Sequence, residues 1–268
     1  MKKKQPIGLF DSGIGGLTVA KAVKNILPNE RIIYFGDTAH LPYGDKSEAA
    51  IQAYSIKIAD VLLKEGCKVI LIACNSASSS AYELLKEYVG KRTKILNVID
   101  PMVDFIGSNF QNKNVGLIGT KRTVLSQVYE KKIKSLDVDI ALNSLATPLL
   151  VPMIEEGYFN NKISHEIIEE YLNHENLQNI DALILACTHY PLIKEEIQDL
   201  TMNKIEIVDS ADVVALSLKQ YLEKENILNE KNDDSDTFLI SDFTESFASS
   251  AKTFFDSPIT LKQHPLWD

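Results

Sequence analysis

The chain has 268 residues, 45% apolar and 24% charged, both within the usual globular range. At roughly 150 residues per domain there is room for one large or two modest domains, with core enough to fold without staples; disorder, collagen-like repeats and disulfide miniproteins are excluded. Against 28 Lys and Arg stand 37 Asp and Glu, a net charge of −9, and only Arg31, Arg92 and Arg122 are arginines, so nucleic acid is not expected as the main partner.

In chain order, short apolar runs predict strands at 7–10 (IGLF), 32–35 (IIYF), 69–74 (VILIAC) and 95–99 (ILNVI). Further runs follow at 115–119 (VGLIG), 182–187 (ALILAC), 205–208 (IEIV) and 238–241 (FLIS). Such near-continuous runs fit strands covered on both faces of a mostly parallel sheet. Between 46 and 65, Ile51, Tyr54, Ile58, Val61 and Leu62 share a helical stripe, with Gly66 where a C-terminal cap belongs. Strand–helix alternation makes the chain α/β. NEKNDDSD at 229–236 reads as a solvated loop, and the helical segment 244–256 is expected to pack back on the first domain.

Three pairs of segments suggest a duplication. IGLFDS from Ile7 resembles VGLIGT from Val115, 108 residues on; VILIACNS and ALILACTH align Cys74 with Cys187, 113 apart; NVID and EIVD end at Asp100 and Asp209, 109 apart. The same order at nearly constant spacing predicts two similar domains related by a pseudo-twofold, each a mostly parallel sheet flanked by helices. The first is expected to comprise 1–98 and 210–268, the second 99–209. The active site is expected in the cleft between them.

Cys67, Cys74 and Cys187 are an odd set without Cys-x-x-Cys spacing, which argues against a disulfide framework and a paired-cysteine zinc site. Free thiols point to a reducing compartment, most simply the cytoplasm. The basic start MKKK is followed by an apolar stretch that stops at Asp11, so no signal peptide is expected. No run reaches the roughly 18 apolar residues of a membrane span, and a soluble protein without membrane partners is expected.

Ligands gather at the carboxyl ends of strands in open α/β sheets. Cys74 and Cys187 each end a strand, followed by Asn75-Ser76 and Thr188-His189. Each is expected to precede a helix start, whose N-terminus would lower the thiol pKa from about 8.5. Taken singly, either cysteine reads as a small apolar filler, as does Cys67 at its strand entry. Matching positions in repeated halves favour a pair of acid–base groups. One thiolate and one thiol on opposite faces of a substrate can invert a carbon centre in both directions. His189 could instead serve Cys187 as the base of a nucleophilic hydrolase, and spacing alone leaves that open.

Asp11 and Ser12 precede GIGGL, which is not Gly-x-Gly-x-x-Gly because Thr18 fills the last position; a dinucleotide site is not expected. The glycines are expected to let backbone approach a small ligand. Asp11 is either a helix cap or a group tuning a thiol. The 36–47 loop, with Pro42, Tyr43 and Gly44, reads by itself as a turn before a helix. Thr120 and Thr123 are either ligand donors or caps.

Taken together, DSGIGGLTV at 11–19, GDTAHLPYG at 36–44, ACNSAS at 73–78, GTKRTV at 119–124, VPMIEEG at 151–157 and ACTHYPL at 186–192 resemble the glutamate racemases, members of the aspartate/glutamate racemase family. They stand in family order across most of residues 7–212. The resemblance implies cofactor-independent interconversion of L- and D-glutamate, with D-glutamate supplied to peptidoglycan and cell-wall synthesis. It implies that Cys74 and Cys187 are the catalytic acid–base pair, with Asp11 assisting the first and Glu155 and His189 the second. Ser12, Tyr43, Gly44, Asn75, Ser76 and Thr188 would hold substrate together with Asp11 and His189, and Pro42, Thr120 and Thr123 would line the pocket. No metal is expected, and a homodimer stays open. Two departures are Ser76, where threonine is commoner, and Ala186, where glycine is. The alternatives are an aspartate- or hydantoin-type racemase, disfavoured by His189 after Cys-Thr, and a two-lobed binding module with inert thiols.

Overall fold

The computed structural model describes residues 2–231 and 235–267, so the middle of the 229–236 segment lies outside the described residues. From the N-terminus come β1 (Ile7–Asp11), α1 (Leu17–Ile26), β2 (Ile32–Gly36), α2 (Glu48–Lys64), β3 (Val69–Ile72), α3 (Asn75–Val89), β4 (Lys94–Asn97) and α4 (Ile99–Asn109). Next are β5 (Lys113–Gly119), α5 (Lys121–Ser126), α6 (Val128–Ser135), β6 (Ile140–Ala146), α7 (Leu150–Glu155), α8 (Lys162–Leu172), β7 (Ala182–Ala186) and α9 (Lys194–Leu200). Last come β8 (Glu206–Asp209), α10 (Ser210–Lys224), β9 (Thr237–Ile240), α11 (Glu245–Phe255) and β10 (Leu261–Gln263).

The strands form two all-parallel sheets, β10-β9-β2-β1-β3-β4 and β6-β5-β7-β8. With β5–β8 taken as counterparts of β1–β4, the order 2-1-3-4 recurs, as a duplication requires. All eight expected strands are present. β6 and β10 are additional, and both lie on sheet edges. β6 starts as alternating half-buried and exposed residues, and an edge strand of that kind lacks the continuous apolar run that marks its neighbours.

Strand alternation feeds two cores. In β3, Val69 and Leu71 enter one apolar cluster and Ile70 and Ile72 the other; in β2, Ile32 and Tyr34 oppose Ile33 and Phe35. The second cluster lies between the larger sheet and α2 and α3. The first runs unbroken through α1, α4 and α10 into the smaller sheet. Each fully buried Val, Leu or Ile contributes roughly 1.5–3 kcal/mol, so this shared core ties the two lobes together. As expected, α11 packs on α1, burying Ala251 and Phe254.

The flanks of 229–236 are more constrained than a solvated loop. Asn229 N–H donates to Glu30 Oε1 at 2.8 Å, and Asp236 accepts from Ile32 N–H at 2.9 Å. Glu30 is itself buried against Lys68, 2.6 Å away, and a buried carboxylate needs every donor within reach.

Because the strands are parallel, all carboxyl ends of a sheet lie along one edge. Asp11 registers with Gly36, and Gly119 with Ala146 and Ala186. The residues just beyond these ends build the site.

Candidate active site

A cavity of about 310 Å³ opens between the lobes. The first lobe contributes Ser12, Pro42, Tyr43, Gly44, Cys74, Asn75 and Ser76; the second contributes Thr120, Glu155, Cys187, Thr188 and His189. Both cysteines expected to act together thus face one space. Cys67 does not; it is buried under α2 beside Gly8, and burial pushes its thiol up to about 12, as suits a filler.

Cys74 immediately precedes α3, and its Sγ accepts the Ala77 N–H at 3.4 Å while its S–H donates to Ser12 Oγ at 3.7 Å. Behind it, fully buried Asp11 takes the N–H groups of Gly13 and Gly16 on Oδ2, at 3.1 and 3.0 Å. Asp11 Oδ1 is buried without a hydrogen-bond partner among the described residues. Burial, then the Asp11 charge, raise the Cys74 thiol well above its ordinary value despite the Ala77 and Ser12 hydrogen bonds. The expected lowering by the helix N-terminus is therefore reversed: desolvation and a like charge outweigh the Ala77 and Ser12 hydrogen bonds. Asp11 both caps the turn and acts on the thiol.

Cys187 has different surroundings. No α-helix starts behind it; a single 3₁₀ turn, Tyr190–Ile193, intervenes before α9. Pro191 fits that first turn, where no N–H is needed, and the preceding side chains make other bonds than caps. His189 Nδ1 lies 3.8 Å from Cys187 Sγ and 3.5 Å from Thr188 Oγ1, while Nε2 is 2.9 Å from Glu155 Oε1. Burial alone would lower the imidazole, but hydrogen bonds to Cys187 and Glu155, and their charges, raise it to about 10. At neutral pH this residue is an imidazolium.

The glycines of GIGGL make room for protein rather than ligand. A Cβ on Gly15 would lie 2.5 Å from His189 Nδ1 and 2.6 Å from Thr188 Oγ1. Thr18 Oγ1 donates across the lobes to Thr188 O at 2.9 Å. From the far end of the chain, Phe254 makes a T-shaped contact with the His189 ring, with centroids 5.2 Å apart at 82°.

Buried Asn75 accepts the Tyr129 hydroxyl on Oδ1 at 2.8 Å, and its Nδ2 has no partner among the described residues. Ser76 and Thr120 hydroxyls meet at 2.8 Å across the lobes. Tyr43 donates at 2.6 Å to Asp37, which also binds His40 at 2.8 Å and Ser241 at 2.7 Å. The loop bearing Pro42 and Gly44 is thereby fastened rather than being a plain turn.

The family model for Asp/Glu/Hydantoin racemase matches residues 17–218. The chain belongs to this racemase family. It is similar to a glutamate racemase of Chlorobium phaeobacteroides, 38% identical over 96% of this chain and 94% of the relative. Among crystal structures it resembles glutamate racemase from Francisella tularensis in complex with D-glutamate, with a TM-score of 0.90, 36% identity and 98% of each chain covered. The Thermus thermophilus glutamate racemase, in complex with β-chloro-D-alanine, gives 0.87, 35% and 98% of each chain.

Two expected pocket residues of this racemase stand back from its cavity. Asp11 lies behind Cys74, and Thr123 is buried behind Thr120, 3.1 Å from its hydroxyl. Thr120 also caps α5, accepting Thr123 N–H at 3.3 Å, and it lines the cavity. Conversely, Thr147, Pro148, Val151 and Pro152 line the cavity without having been singled out individually. Among the described residues of this family member, no cluster of three or more His, Cys, Asp or Glu is placed to hold a metal, and no helix is long and apolar enough to cross a membrane.

Proposed function

We propose that the protein is a glutamate racemase that uses Cys74 and Cys187 as two bases on opposite faces of the substrate. The observation that carries this reading is a pair of thiols from opposite lobes on one cavity, each backed by its own charged group. One sulfur, as thiolate, takes the α-proton; an S–H bond forms and the C–H electron pair stays on the α-carbon, delocalised into the α-carboxylate. The opposite thiol gives its proton to the other face, forming the new C–H bond and leaving that sulfur as thiolate. The roles are then exchanged, so the reverse reaction starts from the other sulfur.

The Asn75 amide and the Ser76, Thr120 and Thr188 side chains supply fixed dipoles for the two carboxylates and for charge developing on the carbanion. The His189 imidazolium, held by Glu155, sits beside Cys187, and burial together with the Asp11 charge keeps Cys74 protonated. We take 1–98 with 210–268 as the first domain and 99–209 as the second. D-Glutamate would feed peptidoglycan synthesis, and a mechanism needing two reduced thiols fits the cytoplasm.

Purified protein given L-glutamate without added cofactor should lose optical rotation, and in deuterium oxide the D-glutamate formed should carry α-deuterium. Cys74→Ala and Cys187→Ala should each nearly abolish racemisation. Full activity in Cys187→Ala would end the two-base reading, and turnover of aspartate but not glutamate would move the protein to the aspartate-type racemases.

A further inference from the structure

We propose that Tyr129, on α6 of the second lobe, is a positioning residue that decides which end of the Asn75 amide faces the substrate cavity. The inference rests on the racemase reading of that cavity. Asn75 is 2% and Tyr129 1% exposed, so neither can turn to water for a missing partner. The Tyr129 hydroxyl donates to Asn75 Oδ1 at 2.8 Å and makes no other hydrogen bond among the described residues. Asn75 lines the cavity, and its amide nitrogen is buried with no partner among the described residues.

An amide can present either its oxygen or its NH₂ to a ligand, and the two ends have nearly the same shape. If Asn75 flipped, its oxygen would face the substrate carboxylate, and the phenol proton would lose its only acceptor. Both effects oppose the flip, since a buried group without its partner carries the whole desolvation cost. Burial, with the charges of Asp100 and Glu130, raises the Tyr129 phenol above its ordinary value, so it remains a donor throughout the working pH range. A carboxylate-binding donor on one lobe is in this way oriented by a hydroxyl on the other.

Removing the hydroxyl should weaken binding more than chemistry. In Tyr129→Phe, turning the NH₂ toward a carboxylate leaves the amide oxygen buried without a donor, a cost borne by the bound state. KM for both enantiomers should rise about tenfold, the usual scale for one unsatisfied buried group, with a smaller change in kcat. Asn75→Ala should raise KM at least as much, and adding Tyr129→Phe to it should change KM by less than about twofold. A merely structural role would lower the melting temperature and active fraction, and would persist in the Asn75→Ala background. Tyr129→Met also lacks the hydroxyl and carries the same test if the phenylalanine variant does not fold. Unchanged KM in a folded Tyr129 variant, or effects of the two sites that simply multiply, would overturn the proposal. Absence of glutamate racemisation in the unsubstituted protein would instead overturn the racemase reading itself.

Discussion

The Glu155→Gln substitution isolates the group behind Cys187. It keeps the shape of the side chain and a hydrogen bond to His189 Nε2, now 2.9 Å from Glu155 Oε1, and removes only the charge. A charge-assisted hydrogen bond contributes roughly 1.5–3 kcal/mol, and 1.36 kcal/mol corresponds to one pH unit. The His189 imidazole should therefore fall from about 10 by about one to two units; the glutamate side chain is 26% exposed, which favours the lower figure. The sign is fixed by the direction of the native shift. A histidine raised on folding adds stability that is fully present below its unfolded value and is lost as pH rises through the folded value. In the variant that loss should be complete at lower pH, and the alkaline decline of racemisation that depends on the imidazolium should set in at lower pH. Histidine-labelled protein can be titrated by nitrogen NMR, with the five histidines assigned by substitution, beside a pH–rate profile. A His189 titration in Glu155→Gln within about 0.3 unit of the parent would refute the assigned role.

Two further outcomes follow from the packing. Gly15→Ala places a methyl 2.5 Å from His189 Nδ1, forcing the ring from its place; racemisation should fall about a hundredfold in a protein whose circular dichroism is unchanged, and near-parental rates would show that the ring position is not critical. Lys68→Met leaves Glu30 charged and buried without its cation, at the amino end of β3 and away from the cavity. Urea unfolding should register a loss of about 3–5 kcal/mol with KM for glutamate unchanged, and a stability within about 1 kcal/mol of the parent would contradict the ion-pair assignment.

The sheets were legible where strands are covered on both faces. VILIAC and ALILAC leave no other reading, whereas IALNSLA in β6 and LKQ in β10 carry too little apolar surface to announce themselves. The thiol pair was legible because strand ends in a duplicated parallel fold must coincide. The same logic reaches one residue further. Asp11 registers with Gly36 and its counterpart Gly119 with Ala146, so Asp37 in one lobe answers to Thr147 in the other, and Thr147 lines the cavity. Tyr129 and Phe254 had no such signal. They reach Asn75 and His189 across 54 and 65 residues of chain, and nothing periodic in the sequence marks a contact made only by the assembled fold.

Duplication alone would make the two sulfurs equivalent, and a symmetric site gives a single proton no reason to rest on one side. The surroundings break that symmetry at two aligned positions. Where the first lobe has Asp11 the second has Gly119, and where the second has His189 the first has Ser76. Cys74 therefore has a negative neighbour and Cys187 a positive one. Burial and the Asp11 carboxylate disfavour the Cys74 anion, so that sulfur rests as a thiol. On the proposed mechanism Cys74 is thus set to act first as the acid. The cost of charging the disfavoured sulfur falls on the opposite half of the cycle, where the dipoles around the bound carboxylates must offset it.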